Sequence, residues 1–196
     1  MKKLNIVLLA VILISLSACN GLPIEGDFGP THFNLIDQDN QSQIFPDLIK
    51  GKIGVVGYIF TNCPDICPLT TNNMRLIQEE LKKENINDDV EFVSISFDPE
   101  VDSPEVLKNF AEIRDLDLNN WAFLTGEKSI IDSLIKEAGV IAVVGDSSVT
   151  KEGETIYYFI HTDRISLIDE EGNIRKNYLG SRINIKDVVA DIKKLL

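Results

Sequence analysis

Sulfur, imidazole and cationic charge are all scarce in this sequence. Its 196 residues contain three cysteines, two histidines, two methionines and one tryptophan. Three cysteines cannot supply the several cross-links on which small secreted scaffolds depend, so the fold must rest on a hydrophobic core. Lys and Arg number 19 against 31 Asp and Glu, a formal net charge of −12. That balance argues against nucleic acid as a partner, because affinity for it comes chiefly from neutralising phosphates with cations. What is present is 44% hydrophobic and 26% charged, the composition of a globular chain, and the length suits one domain.

The N-terminus has the layout of an export signal. Lys2 and Lys3 precede an apolar run from Ile6 to Leu16, broken only by Ser15. The run is about half the ~20 residues a helix needs to cross a bilayer, so residues 1–18 read as a cleaved signal peptide and not as a permanent span. Leu16-Ser17-Ala18-Cys19 resembles a bacterial lipobox, in which the cysteine is lipidated and becomes the first mature residue. The plainer alternative makes Cys19 the incidental end of an ordinary signal. Residues 19–31 carry Gly21, Pro23, Gly26, Gly29 and Pro30 with no apolar period and read as a tether. The reach of such a tether is roughly 40 Å. The expectation is an exported domain, residues 32–196, held on the cell membrane by its lipid and facing the periplasm or cell exterior.

The remainder alternates strand and helix patterns. Ile53–Phe60 is a nearly unbroken apolar run, as in a central strand buried on both faces. Met74, Ile77 and Leu81 then share one face of a helix over about Cys67–Glu84. Val93, Ile95 and Phe97 alternate with serines, completing a βαβ unit with parallel strands. Ser103-Pro104 marks a helix start, Trp121–Leu124 a strand, and Ser129 the cap of a helix ended by Gly139. Ile165–Asp169 and Ile174–Leu179 form a hairpin, and Ile185 to Leu196 an amphipathic helix. The order is that of an α/β, thioredoxin-like fold: a central mixed sheet flanked by helices, with an inserted helix and strand. Open α/β sheets bind ligands at the C-terminal ends of their parallel strands. The loop after Phe60 lies there, and His161, in the loop leading to Ile165, should pass over the same end.

That loop reads Thr61-Asn62-Cys63-Pro64-Asp65-Ile66-Cys67-Pro68, two thiols at C-x3-C spacing entering a helix. A helix start favours thiolate, the form that binds metal and attacks disulfides. Thioredoxin-type redox enzymes use C-x-x-C, so the extra residue weakens that assignment. Two thiolates and one imidazole fall short of the four ligands of structural zinc, whereas they suit Cu(I) or Cu(II). Other readings stay open at this point. Cys63 and Cys67 could form a plain disulfide, and His161 could be an ordinary surface histidine. His32 reads as an edge residue, and Asp65 as a turn residue or a neighbour supporting the ligands. A peroxiredoxin is disfavoured because Thr61 stands two residues, not three, before Cys63.

Four ordered motifs extend the pattern. After Cys63-Pro64-Asp65-Ile66-Cys67-Pro68 come Asp98-Pro99-Glu100 with Asp102, Pro104 and Leu107, then Phe123-Leu124-Thr125-Gly126, then His161 before Leu167-Ile168-Asp169 and Gly172. Together they resemble the SCO1/SenC copper proteins from about His32 to the C-terminus. The resemblance implies a membrane-anchored thioredoxin fold that binds copper through Cys63, Cys67 and His161. It further implies a metallochaperone that receives copper from a donor protein and assists assembly of the binuclear copper centre of cytochrome c oxidase, at the subunit carrying that centre. The alternative is a tethered thiol-disulfide oxidoreductase using Cys63 and Cys67 as its redox pair. His161 discriminates the two, since only copper binding needs it. Ile160 departs from the acidic residue common before this histidine, and Asn62 from a frequent histidine.

Overall fold

Seven consecutive buried residues, Ile53–Ile59, form a strand at the centre of the molecule. A computed structural model describes residues 21–149 and 155–196; the signal segment and Cys19 lie outside them. The strands are β1 (Gly26–Asp27), β2 (Phe33–Asp37), β3 (Ser42–Phe45), β4 (Ile53–Ile59), β5 (Val90–Ser96), β6 (Trp121–Thr125), β7 (Ala142–Val149), β8 (Thr155–His161), β9 (Ile165–Ile168) and β10 (Asn173–Tyr178). The helices are α1 (Ile66–Glu84), α2 (Pro104–Ile113), α3 (Lys128–Glu137) and α4 (Ile185–Ile192).

Eight strands make one mixed sheet in the order β1-β10-β9-β4-β5-β6-β2-β3. β4, β5 and β6 run parallel, while β9 pairs antiparallel to β4, Gly54 opposite Ile168. This is the expected thioredoxin-like arrangement. Parallel strands are covered on both faces, which is why β4 reads as an unbroken apolar run. Met74, Ile77 and Leu81 of α1 are fully buried in the core, and Gly57 lets α1 approach: a Cβ there would lie 2.6 Å from Met74 Sδ.

Local signals hold in several places. Ser103 Oγ accepts from Val106 N at 3.3 Å with Pro104 in the first turn of α2, and Gly139 takes φ +66° just after α3. The cap of α3 differs from the reading: Glu127 precedes the helix and Ser129 lies inside it, its apolar face alone leaving the first residue undetermined.

Three further differences have tertiary causes. The strands β2 and β3 and the β7–β8 hairpin, a separate two-stranded sheet, were not anticipated. His161 is the last residue of β8, paired with Ala142, and not a loop residue; only Thr162–Arg164 separate it from β9. Finally, the second half of the segment read as a tether is sheet edge. Glu25 N donates to Ile174 O at 2.7 Å, Gly26 and Asp27 pair with β10, and Phe28 is buried edge-on against Phe45, ring centroids 4.9 Å apart. One aromatic among turn residues creates no period that a sequence pattern can register.

Candidate metal centre

Strand β4 delivers the chain to the C-terminal edge of the sheet, and Phe60–Asp65 turn it into α1. The turn is built by Cys63 N donating to Phe60 O at 3.3 Å. It is held from beside by Asp102, which is fully buried. Asp102 accepts from Thr61 N at 3.0 Å, from Thr61 Oγ1 at 2.5 Å and from Ser96 Oγ at 2.6 Å. The aspartate that follows Asp98-Pro99-Glu100 thus braces the cysteine loop against the end of β5, a role that no periodicity in the sequence signals.

Cys63 and Cys67 are both buried free thiols. Cys67 N donates to Cys63 Sγ at 3.4 Å, so the first turn of α1 presents an amide to the loop sulfur. Cys67 Sγ lies 3.9 Å from His161 Nε2, and the three donor atoms all lie within 4.8 Å of one another. His161 Nδ1 faces Thr162 O at 3.2 Å; a proton there leaves the Nε2 lone pair directed at the sulfurs. Phe97 and Phe60 flank the ring, with centroids 5.0 and 5.9 Å away, and Phe159 closes against both phenyl rings at 5.1 Å. This aromatic wall was not anticipated either, because its members come from three separate segments.

The electrostatics favour a thiolate. Hydrogen bonding from the Cys67 thiol, opposed by burial and aided by His161 and the amides of Cys67 and Asp65, holds the Cys63 thiol far below its ordinary value, to about 3. The same sharing, together with burial, pushes Cys67 up. Burial disfavours charge on His161, but the Cys63 sulfur and the Thr162 carbonyl outweigh it and hold the imidazole above its ordinary value. Without a metal, the site thus favours thiolate on Cys63, and the imidazole beside it holds a proton more readily than a free one.

The donor set fits a thiophilic metal. Bonds of ~2.0–2.3 Å to sulfur and nitrogen place the donors of a three-coordinate ion roughly 3.7–4.0 Å apart, so the 4.8 Å envelope needs up to about 1 Å of closure. Two soft thiolates and an imidazole are ligands of copper in either oxidation state. The site opens to solvent through a cavity of about 330 Å³ lined by Cys63, Pro64, Asp65, Tyr158, Ile160 and His161 among others.

Of the remaining sequence candidates, Asp65 is exposed on that cavity and precedes α1 without a side-chain cap bond. His32 stands apart, paired on the surface with Asp47 at 3.1 Å. Ile160 is 68% exposed at the cavity rim.

The SCO1/SenC family profile matches residues 25–196. The chain belongs to the SCO1/SenC family. Among solved SCO1/SenC structures, a family lipoprotein from Bacillus anthracis is 34% identical, with a TM-score of 0.69 over 84% of this chain and 93% of its own. ScoI of Bradyrhizobium japonicum, solved with copper bound, is 29% identical with a TM-score of 0.69, covering 85% and 98%. BsSco, in which a disulfide switch is identified, is a member of the Sco family of cytochrome c oxidase assembly proteins. It is 32% identical with a TM-score of 0.71, covering 90% and 98%.

Proposed function

We propose that this SCO1/SenC protein binds one copper ion through Cys63 Sγ, Cys67 Sγ and His161 Nε2 and passes it on in assembly of the binuclear copper centre of cytochrome c oxidase. Its working partners on this reading are a copper donor protein and the oxidase subunit that carries the centre. The observation that carries the proposal is the convergence of two reduced, buried thiols and one imidazole within 4.8 Å, from a helix start and a strand end 94 residues apart. The copper bound to the Bradyrhizobium relative and the oxidase-assembly role of BsSco support it. A thiol reductase needs only the two sulfurs, whereas a copper site uses all three donors.

Export and a lipid on Cys19 complete the proposal, with a signal peptide over residues 1–18, a short tether, and the folded domain beyond it. The lipoprotein from Bacillus anthracis supports this, and multiple acyl chains hold a protein on a membrane where a single one binds marginally. Loading requires reduced thiols, because a Cys63–Cys67 disulfide removes both sulfur donors.

The test is a Cu(II) titration of the reduced domain, followed by thiolate-to-copper charge-transfer absorption. Binding of one equivalent is expected, lost when the pair is oxidised, and much weakened in His161→Ala, whereas Cu(I) binding by the two sulfurs is largely kept. Wild-type Cu(II) affinity in His161→Ala would remove His161 from the site.

A further inference from the structure

The two halves of the ligand set come from different elements, packed together by the aromatic wall but joined by few hydrogen bonds. Cys67 lies in the first turn of α1, and His161 ends β8 in a hairpin outside the main sheet. The Nδ1 contact of His161 is to the neighbouring residue. Thr162 is tied to the hairpin, through Thr162 N to Ile141 O at 2.9 Å and Ile141 N to Thr162 Oγ1 at 3.0 Å. None of these reaches the helix that carries Cys67.

One side chain does. Asp163 accepts a hydrogen bond from Thr70 Oγ1 at 3.0 Å, and Thr70 is buried on α1 one turn after Cys67. Its carboxylate also accepts from Ser181 Oγ at 2.6 Å and from Ser181 N at 3.0 Å. Among the described residues, Asp163–Thr70 is the only side-chain hydrogen bond between oxygen or nitrogen atoms that joins the His161 segment to α1. The junction is closed by the 3₁₀ turn Gly180–Arg182, which Asn73 Nδ2 pins to α1 by donating to Gly180 O at 2.8 Å. Only glycine fits at 180: a Cβ would lie 2.8 Å from Asp163 Oδ1, 2.8 Å from Thr70 Cγ2 and 2.9 Å from Thr70 Oγ1.

We propose that Asp163 is a positioning residue for the metal centre, a carboxylate clamp that sets the distance between His161 and Cys67. It touches neither ligand. It takes the donors of α1 and of the Gly180–Arg182 turn at once, so the backbone two residues beyond His161 is locked to the helix one turn beyond Cys67. A site whose sulfurs and nitrogen must close by up to about 1 Å gains from such a lock, because outer partners that orient ligands commonly matter 10–100-fold in metal affinity. The inference rests on the copper reading above.

The experiment compares wild type, Asp163→Ala, Thr70→Val, the double variant and His161→Ala. It measures Cu(II) titration, nitrogen coupling in the Cu(II) paramagnetic resonance spectrum, and hydrogen exchange at residues 161–163 in the reduced, metal-free domain. Asp163→Ala is expected to weaken Cu(II) binding at least ~10-fold, to diminish nitrogen coupling while the thiolate absorption persists, and to speed exchange at Thr162. Thr70→Val should act in the same direction, and the double variant should bind no more weakly than Asp163→Ala, since both remove one link. Affinity within twofold of wild type with unchanged nitrogen coupling in Asp163→Ala overturns the clamp, as do independent, additive losses. Should Asp163→Ala not fold, Thr70→Val, which keeps the side-chain volume, decides by the same criteria. If His161→Ala itself binds Cu(II) as wild type does, the three-ligand reading fails, and the clamp with it; if only His161→Ala weakens binding, the clamp alone fails.

Discussion

Replacing Asp102 by Ala should unfasten the cysteine loop and cost the metal-free domain a large part of its stability. The carboxylate is fully buried and receives three donors, the amide and hydroxyl of Thr61 and the hydroxyl of Ser96. An orphaned buried donor costs roughly 1–3 kcal/mol. The Ser96 hydroxyl also accepts from Asp98 N at 3.0 Å and can rotate, and Thr61 is only half-buried, so the low end of that range applies to each hydroxyl. The Thr61 amide cannot turn away. Relief of the desolvation that raises the pKa of Asp102 offsets part of the loss. The sum is about 2–4 kcal/mol, set against a total stability of ~5–15 kcal/mol for a domain. With a urea slope of ~2 kcal/mol/M, the midpoint should fall by about 1–2 M. Urea unfolding of the reduced, metal-free domain measures this, with Asp102→Asn as a control that keeps the volume and part of the acceptor capacity and should lose less. A midpoint shift under ~0.3 M in Asp102→Ala, below the uncertainty of such extrapolations, would refute the idea that this carboxylate braces the loop.

Gly57→Ala should destabilise by ~1–3 kcal/mol through overpacking, because its Cβ would meet Met74 Sδ at 2.6 Å; an unchanged melting temperature would show that Met74 moves aside freely. The raised pKa of His161 makes a stabilising contribution that is fully present below the ordinary value of 6.5 and is lost as pH rises through the folded value. The depressed Cys63 contributes oppositely, fully above 9.0 and lost as pH falls towards about 3. The stability advantage of the reduced, metal-free wild type over His161→Ala should therefore shrink between pH 6 and the alkaline side, and a pH-independent difference in urea midpoints would contradict the coupling between Cys63 and His161. Cys19→Ser should release the domain from membranes or stall its processing, as followed by cell fractionation; normal cleavage with full membrane retention would defeat the lipid anchor.

Much of this protein was legible along the chain because its signals are local. The buried run at Ile53–Ile59, the amphipathic α1, the serine–proline start of α2 and the C-x3-C loop each express a rule that acts within a few residues, and together they determine a parallel β4–α1–β5 unit with thiols at its ligand-binding end. The motif order extended that to His161. The rest depended on distant segments meeting. Gly26–Asp27 looked like a linker because a two-residue edge strand has no pattern of its own; it exists only where Ile174 and Asn173 offer open backbone groups and Phe28 finds Phe45. The β7–β8 hairpin likewise decides which way the histidine faces, by ending β8 at residue 161 against Ala142. The bracing carboxylates of Asp102 and Asp163 act on partners 41 and 93 residues away. Residue type and spacing thus determined which atoms could bind a metal. Their separation was decided by tertiary structure alone, because hydrogen bonds and packing between segments remote in sequence have no signature in either segment by itself.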